Sequence, residues 1–180
     1  MRHLATAYFC SNSRPQTTVE IFLKKMEIFL NFEKTVMNNR PGIKTGSIIL
    51  KYEKSFHNNI SLVTDSKKGL RAQAVFDLIA LSEFSLPFIE KVLNKTIKTF
   101  TSYKKNQTVL DPTVSEKLLK IFSLYDKGIL VFGNIEEFNK WLVEPSFGLG
   151  NAVPRDLLDT VTGIELISDE LTRIEYGDLA

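Results

Sequence analysis

SLPFIEKVLNKTIKTFTSYK, residues 85–104, decides the reading of the fold. Pro87 falls where a helix can accept it, in the first turn, because its missing N–H is one of the donors left without an intrahelical partner there. The spacing predicts a helix from Ser85 to Leu93. Asn94 suits a left-handed exit from that helix, and Thr96 or Lys95 restarts the chain as a further helix to about Lys104. Two short helices joined by a tight turn are the outline of a helix-turn-helix.

Working upstream, Thr64-Asp65-Ser66 offers three N-caps ahead of a helical run from Lys67 to Leu81, with Leu70, Ala74, Phe76, Leu78, Ile79 and Leu81 as its apolar stripe. Asn58-Asn59 breaks the pattern before it. The stretch Gly46 to Phe56 fits a strand as well as the start of a helix. Further back, residues 11–16 read as loop, and Val19, Phe22, Leu23, Met26, Phe29, Leu30, Val36 and Met37 recur at helical spacing. That stripe suits either the chain's own core or a second copy. Asn38-Asn39-Arg40-Pro41-Gly42 ends it.

Downstream, Asp111-Pro112 reads as N-cap and first helical residue, with Val114, Leu118, Leu119, Ile121, Phe122 and Leu124 facing a core, and Gly128 as the end of that helix or a bend in it. Asn134 caps the next helix. Glu136 and Glu137 favour its positive end, Phe138, Trp141 and Leu142 are its buried stripe, and Pro145 stops it. Pro154 starts a short helix through Leu157 and Leu158, Gly163 separates it from a final helix carrying Ile164, Ile167, Leu171 and Ile174, and Gly177 closes the series. The expected fold is all-α or mainly α.

With 180 residues and 43% hydrophobic content the chain can bury a core. No run of about eighteen apolar residues is present, so no membrane span is expected. Cys10 is the single cysteine, which fits a reducing cytoplasm, and the expected location is cytoplasmic. His3 and His57, the two histidines, have no ligand partners at metal spacing beside them, so neither a metal nor a cofactor is expected. Gly148-Leu149-Gly150 reads as a turn, not a phosphate loop. No nucleophile has a base nearby in sequence, and the chain is not expected to be an enzyme.

Charge divides the chain sharply. From Val131 onward Lys140, Arg155 and Arg173 face ten carboxylates, a local charge of −7; removing these from the totals of 23 basic and 21 acidic residues leaves 20 against 11, or +9, for residues 1–130. Such a split implies that one half meets a polyanion and the other something basic, or that the tail neutralises its own front half. Residues 86–130 hold Lys91, Lys95, Lys98, Lys104, Lys105, Lys117, Lys120 and Lys127 against Glu90, Asp111, Glu116 and Asp126, a net of +4. Lysines beside a recognition helix neutralise phosphates, whereas base reading needs planar or bidentate groups.

The acidic region also carries an ordered set of words. Val131-Phe132-Gly133, Trp141-Leu142, Pro145, Leu149-Gly150, Pro154 with Leu157-Leu158-Asp159-Thr160, Gly163, and Arg173-Ile174-Glu175-Tyr176-Gly177 together resemble the C-terminal toxin-binding region of the Xre/MbcA/ParS antitoxin family. Residues 66–130 resemble the Xre-like helix-turn-helix that precedes it in that family, with Lys95-Thr96-Ile97-Lys98-Thr99 opening the recognition helix and Ser115-Glu116-Lys117-Leu118 in the next. Residues 1–60 match no part of the pattern. Two departures are visible: Asn151-Ala152-Val153 before Pro154, where relatives are often polar or glycine-rich, and lysine in the recognition helix where relatives often carry arginine.

Three parts are expected: an extension with an amphipathic helix over 1–60, read from its periodicity alone, and, as the resemblance implies, a helix-turn-helix domain over 61–130 and a toxin-binding domain over 131–180. The resemblance implies an antitoxin of a type II toxin-antitoxin system, whose partner is a RES-domain toxin that consumes NAD. Further partners would be operator DNA, for autoregulation, and a second copy of the chain or a larger hetero-oligomer with toxin; no membrane is implied. The expected DNA-binding residues are Lys95, Thr96, Lys98, Thr99, Tyr103 and Lys104. The expected toxin-binding residues are Pro154, Arg155, Ile174, Glu175, Tyr176, Gly177 and Asp178. A phage-type repressor acting on DNA without a toxin is the alternative, and it leaves the acidic tail without a role.

Overall fold

The computed structural model describes residues 45–177. The expected helix over Val19–Met37, the turn after it, His3, Cys10 and Asp178 lie outside the described residues. Within them the chain forms eight α-helices and two 3-10 turns, with no strand beyond two isolated bridges. The all-α expectation is met.

The helices are α1 (Thr45–Phe56), α2 (Asn59–Lys68), α3 (Gln73–Ser82), α4 (Leu86–Leu93), α5 (Ile97–Lys105), α6 (Pro112–Phe132), α7 (Ile135–Leu142) and α8 (Val161–Glu175). Between α7 and α8 lie 3-10 turns at Phe147–Leu149 and Pro154–Leu157. At 1.5 Å per residue the 21 residues of α6 make a rod of about 31 Å. Everything else is arranged around it. Val114, Leu118, Leu119, Ile121, Phe122, Leu124 and Tyr125 are all buried, on more than one side of the helix.

One side of α6 takes α1 and α2. The Tyr52 ring stacks on Phe122 at 4.3 Å with 2° between planes, and its hydroxyl donates to Asp77 Oδ2 at 2.6 Å. Lys51 and Gln73 donate to the same carboxylate, so Asp77 of α3 knots α1 to α3. Burial, followed by the hydrogen bond to Asp77, pushes the Tyr52 phenol far above its ordinary range.

The other side takes α7 and α8. Phe138 makes an edge contact with Tyr125 at 5.0 Å and stacks toward Phe132 and Trp141. Gly128 makes that fit available, since a Cβ there would overlap the Phe138 ring. The helix therefore continues through Gly128 to Phe132, and the glycine marks neither an end nor a bend. Tyr125 donates to Asn139, which in turn donates to the Leu81 carbonyl at the end of α3. Trp141, expected as buried, is half-exposed at the edge of this cluster.

Upstream, one open reading is resolved and one expectation is corrected. The ambiguous stretch from Gly46 is helical, with Tyr52 as its buried anchor. Thr64-Asp65-Ser66 does not start a helix, because these residues form the last turns of α2, whose N-cap is Asn58 accepting from the Ser61 N–H. Gly69, at φ 81, then breaks the chain. What interrupts the expected run is tertiary: the Leu110 N–H donates to the Leu70 carbonyl at 2.7 Å and the Leu70 N–H donates to Ser115 Oγ. These bonds hold residues 70–71 out of helical geometry.

Candidate functional site: a two-helix turn and a clamped loop on opposite ends of one rod

The turn between α4 and α5 is built as the sequence foretells. Asn94 adopts φ 53, its N–H closing on the Lys91 carbonyl, and the Lys95 N–H donates to the Glu90 carbonyl. Thr96 caps α5 by accepting from the Thr99 N–H. A second tie was not foreseen: Glu90 reaches across from α4 and accepts the Ile97 N–H at 2.7 Å, filling an orphan donor of the next helix. The two helices are thereby locked to each other.

The expected DNA-binding residues fare unequally. Lys98 is exposed on α5, and Lys104 is exposed while lying 4.7 Å over the Phe76 ring. Tyr103 is half-buried. Thr96 and Thr99 spend their hydroxyls on the cap and on each other at 3.0 Å. Lys95 is ion-paired at 3.4 Å with Asp111, the N-cap of α6. Burial raises that carboxyl, but the Val114 N–H and Lys95 outweigh it, so Asp111 titrates below its ordinary value.

The basic surplus of residues 86–130 is largely spent inside the molecule. Lys117, 8% exposed, donates to the carbonyls of Val92 at 2.8 Å and Asp159 at 2.6 Å. Its burial lowers the ammonium pKa, against the pull of Asp159. Lys120 pairs with Glu165 at 2.7 Å, and Lys127 donates to the Ser168 carbonyl at 2.7 Å and to Thr172 Oγ1. Partner numbers rise with lysine numbers, so α6 and α8 run side by side in the same sense. Of the implications of the charge split, self-neutralisation accounts for this row.

Loop 146–152 returns along α8. It closes on itself through the Ser146 N–H to the Ala152 carbonyl (3.0 Å), the Asn151 N–H to the Ser146 carbonyl (2.9 Å) and the Gly150 N–H to the Phe147 carbonyl (2.9 Å). Beneath it lies Glu170, a carboxylate only 5% exposed. Its Oε1 accepts from Ser146 Oγ at 3.1 Å, and its Oε2 is 2.6 Å from the Arg173 guanidinium, with no hydrogen-bond donor to that oxygen among the described residues. Arg173 also donates to the Gly148 carbonyl at 3.1 Å. Gly148 rests so close to the carboxylate that a Cβ would overlap both oxygens. The glycine read as turn is in fact a contact residue, and the conformational turn is made by Gly150 at φ 68.

Sequence reasoning missed Phe147, Glu170 and Arg173 as a unit. The expected toxin-binding residues do not form one cluster. Pro154 is buried at the start of its 3-10 turn, and Arg155 is exposed with its guanidinium 5.9 Å from the Phe88 ring of α4. Ile174, Glu175, Tyr176 and Gly177 are at the other end of α8, whose 15 residues span about 22 Å. Tyr176 is 80% exposed and Gly177 turns at φ 73. Gly163, expected between helices, lies inside the first turn of α8: Thr160 is the cap, and a Cβ at 163 would overlap the Leu157 carbonyl.

No group of three or more metal-ligating side chains occurs among the described residues, and none of their helices is long and apolar enough to cross a membrane. What this end of the rod offers is a hydrogen-bonded loop carrying an exposed aromatic ring. Residues 127–177 match the antitoxin Xre/MbcA/ParS C-terminal toxin-binding domain. The resemblance read from the ordered words is borne out over that span. No curated protein matches the chain.

Proposed function

We propose that this chain is the antitoxin of a type II pair that binds and inhibits a RES-type, NAD-consuming toxin. The match of residues 127–177 to a toxin-binding domain carries the reading. A pocket that handles NAD must present cationic groups or backbone donors to two phosphates, so carboxylates at the tip of a plug gain from it. Glu175 and Asp178 are the candidates, with exposed Tyr176 adding contact area. Pro154 acts from inside, by starting its 3-10 turn, and Arg155 serves the flank toward α4. The inhibited complex includes a homodimer or higher hetero-oligomer.

A DNA-binding role for α4 and α5 belongs to the same proposal. The locked turn and the exposed Lys98, Lys104 and Lys105 support it. With Thr96 and Thr99 committed to the cap and no arginine on α5, binding rests on phosphates and its sequence preference is modest. Autoregulation of the operon follows from such binding.

The deciding experiment co-expresses the chain with the RES-domain product of the neighbouring reading frame and follows growth and cellular NAD. Rescue of growth with NAD restored supports inhibition, and a complex recovered by pull-down supports direct contact. Removing residues 174–180 is expected to weaken neutralisation. Toxicity unchanged by the full chain would end the reading.

A further inference from the structure

We propose that Phe147 is the anchor that enters an apolar pocket on the toxin, and that buried Glu170 is the positioning residue that sets it. The proposal rests on the antitoxin reading above. Within the matched region Phe147 is 76% exposed although it is a large apolar side chain, and it stands on the tip of the 3-10 turn Phe147–Leu149. A monomer gains nothing from that exposure.

The loop beneath it is preorganised. Its own backbone closes it at Ser146–Ala152 and Phe147–Gly150, while Glu170 and Arg173 hold it from the α8 side through Ser146 Oγ and the Gly148 carbonyl. A carboxylate placed 5% exposed under a loop is costly to bury, and here it is compensated by Arg173 and one hydroxyl. Fixing the loop in advance lowers the ordering cost of association, so the ring meets its pocket in one place. Tyr176 and Leu130 are as exposed, at 80% and 76%. Tyr176, however, is the C-cap of α8 with no tertiary hydrogen bond among the described residues to hold its ring, and leucine is under-represented among residues that dominate interfaces.

The partner surface that fits is an apolar slot able to take one aromatic ring. The exposed Arg173 guanidinium is held on the Gly148 carbonyl next to Phe147, and exposed Glu144 lies three residues before the ring in the chain, so the loop and its flank carry both signs of charge around the apolar tip. This is one occupant, the toxin.

The test uses the full chain and the toxin encoded beside it, with dissociation constants measured for wild type, Phe147→Ala, Glu170→Gln, the double variant and Leu130→Ala. Phe147→Ala is expected to weaken binding about thirtyfold, the threshold of about 2 kcal/mol for a dominant residue converted at 1.4 kcal/mol per decade. Glu170→Gln is expected to cost about tenfold alone and almost nothing on the Phe147→Ala background. A residue that merely supports the fold would add its loss in both backgrounds. Helical circular dichroism of the surface variant Phe147→Ala should match wild type. Wild-type binding with Phe147→Ala unimpaired, or with Leu130→Ala causing the larger loss, overturns the inference and leaves the antitoxin reading standing. Absence of wild-type binding overturns both.

Discussion

The Lys117 ammonium of α6 donates to the Asp159 carbonyl at 2.6 Å, just ahead of α8, and at the same time to the Val92 carbonyl at the end of α4. A single buried cation thus joins the α4–α5 pair to the matched domain. Replacing it with alanine leaves two carbonyls without a donor, each worth about 1–3 kcal/mol when buried, so Lys117→Ala is expected to lose at least about 2 kcal/mol in urea unfolding. The sign of its pH effect follows from the lowered ammonium pKa. The unfolded chain holds the proton at pH values where the folded chain has released it, so this group's contribution rises with pH up to 10.5. Lys117→Met, measured alongside wild type, should therefore show a deficit that grows as pH approaches that value.

Asp111 carries the same sign, in acid instead of alkali. Its carboxylate accepts the Val114 N–H at 3.0 Å and faces Lys95, and Asp111→Ala is expected to cost about 1 kcal/mol, the usual worth of such a cap. Because the folded pKa is depressed, the stabilisation is present above the ordinary 3.8 and is lost as pH falls through the folded value. Unfolding curves of wild type and Asp111→Ala should converge in acid. Asp111→Asn retains an acceptor and should lose the pH dependence.

Two glycines at either end of the same turn separate sterics from backbone conformation. Gly128→Ala drives a methyl into the Phe138 ring and is expected to destabilise by about 1–3 kcal/mol, as overpacking does. Gly133→Ala meets no neighbour within 4 Å and carries only the cost of a side chain at φ 84, about 1 kcal/mol. Trp141 fluorescence, next to Phe132 and Phe138, should shift in the first variant and not in the second.

The proposed DNA binding offers a charge test in which two classes of lysine disagree. Each phosphate contact contributes about 0.9 to the slope of log affinity against log salt. Removing exposed Lys98 and Lys105 together is expected to reduce that slope by about two, whereas Lys117→Met should leave it unchanged, since that ammonium is committed to carbonyls. A slope insensitive to Lys98 and Lys105 would place the DNA face elsewhere.

Local signals were legible where local chemistry decides the backbone. Asn94, Thr96, Asp111 and Asn134 announced a turn and three caps, and each does so through a contact within three or four residues. Asn58-Asn59 was read only as a break, and the cap at Asn58 went unread because Thr64-Asp65-Ser66 formed a stronger pattern of the same kind. Residues 70–71 could not be read, since partners at Leu110 and Ser115 hold them. The same holds for the glycines at 128, 148 and 163, where a ring, a carboxylate and a carbonyl come close from distant positions. Of the candidate site, the ordered words around Pro154 and Arg173 located the domain. The clamp of Glu170 on Gly148 needed the third dimension, because charge in a helix gives no sign of which carboxylate is buried.

The row of lysines along α6 gives this protein a vulnerability. Residues 112–132 brace the α4–α5 turn at one end and the aromatic seat of α7 at the other, with α8 strapped along their length. A protease that severed that one rod would dismantle both ends together, so a single cut would undo the two-helix turn and the clamped loop in the same stroke.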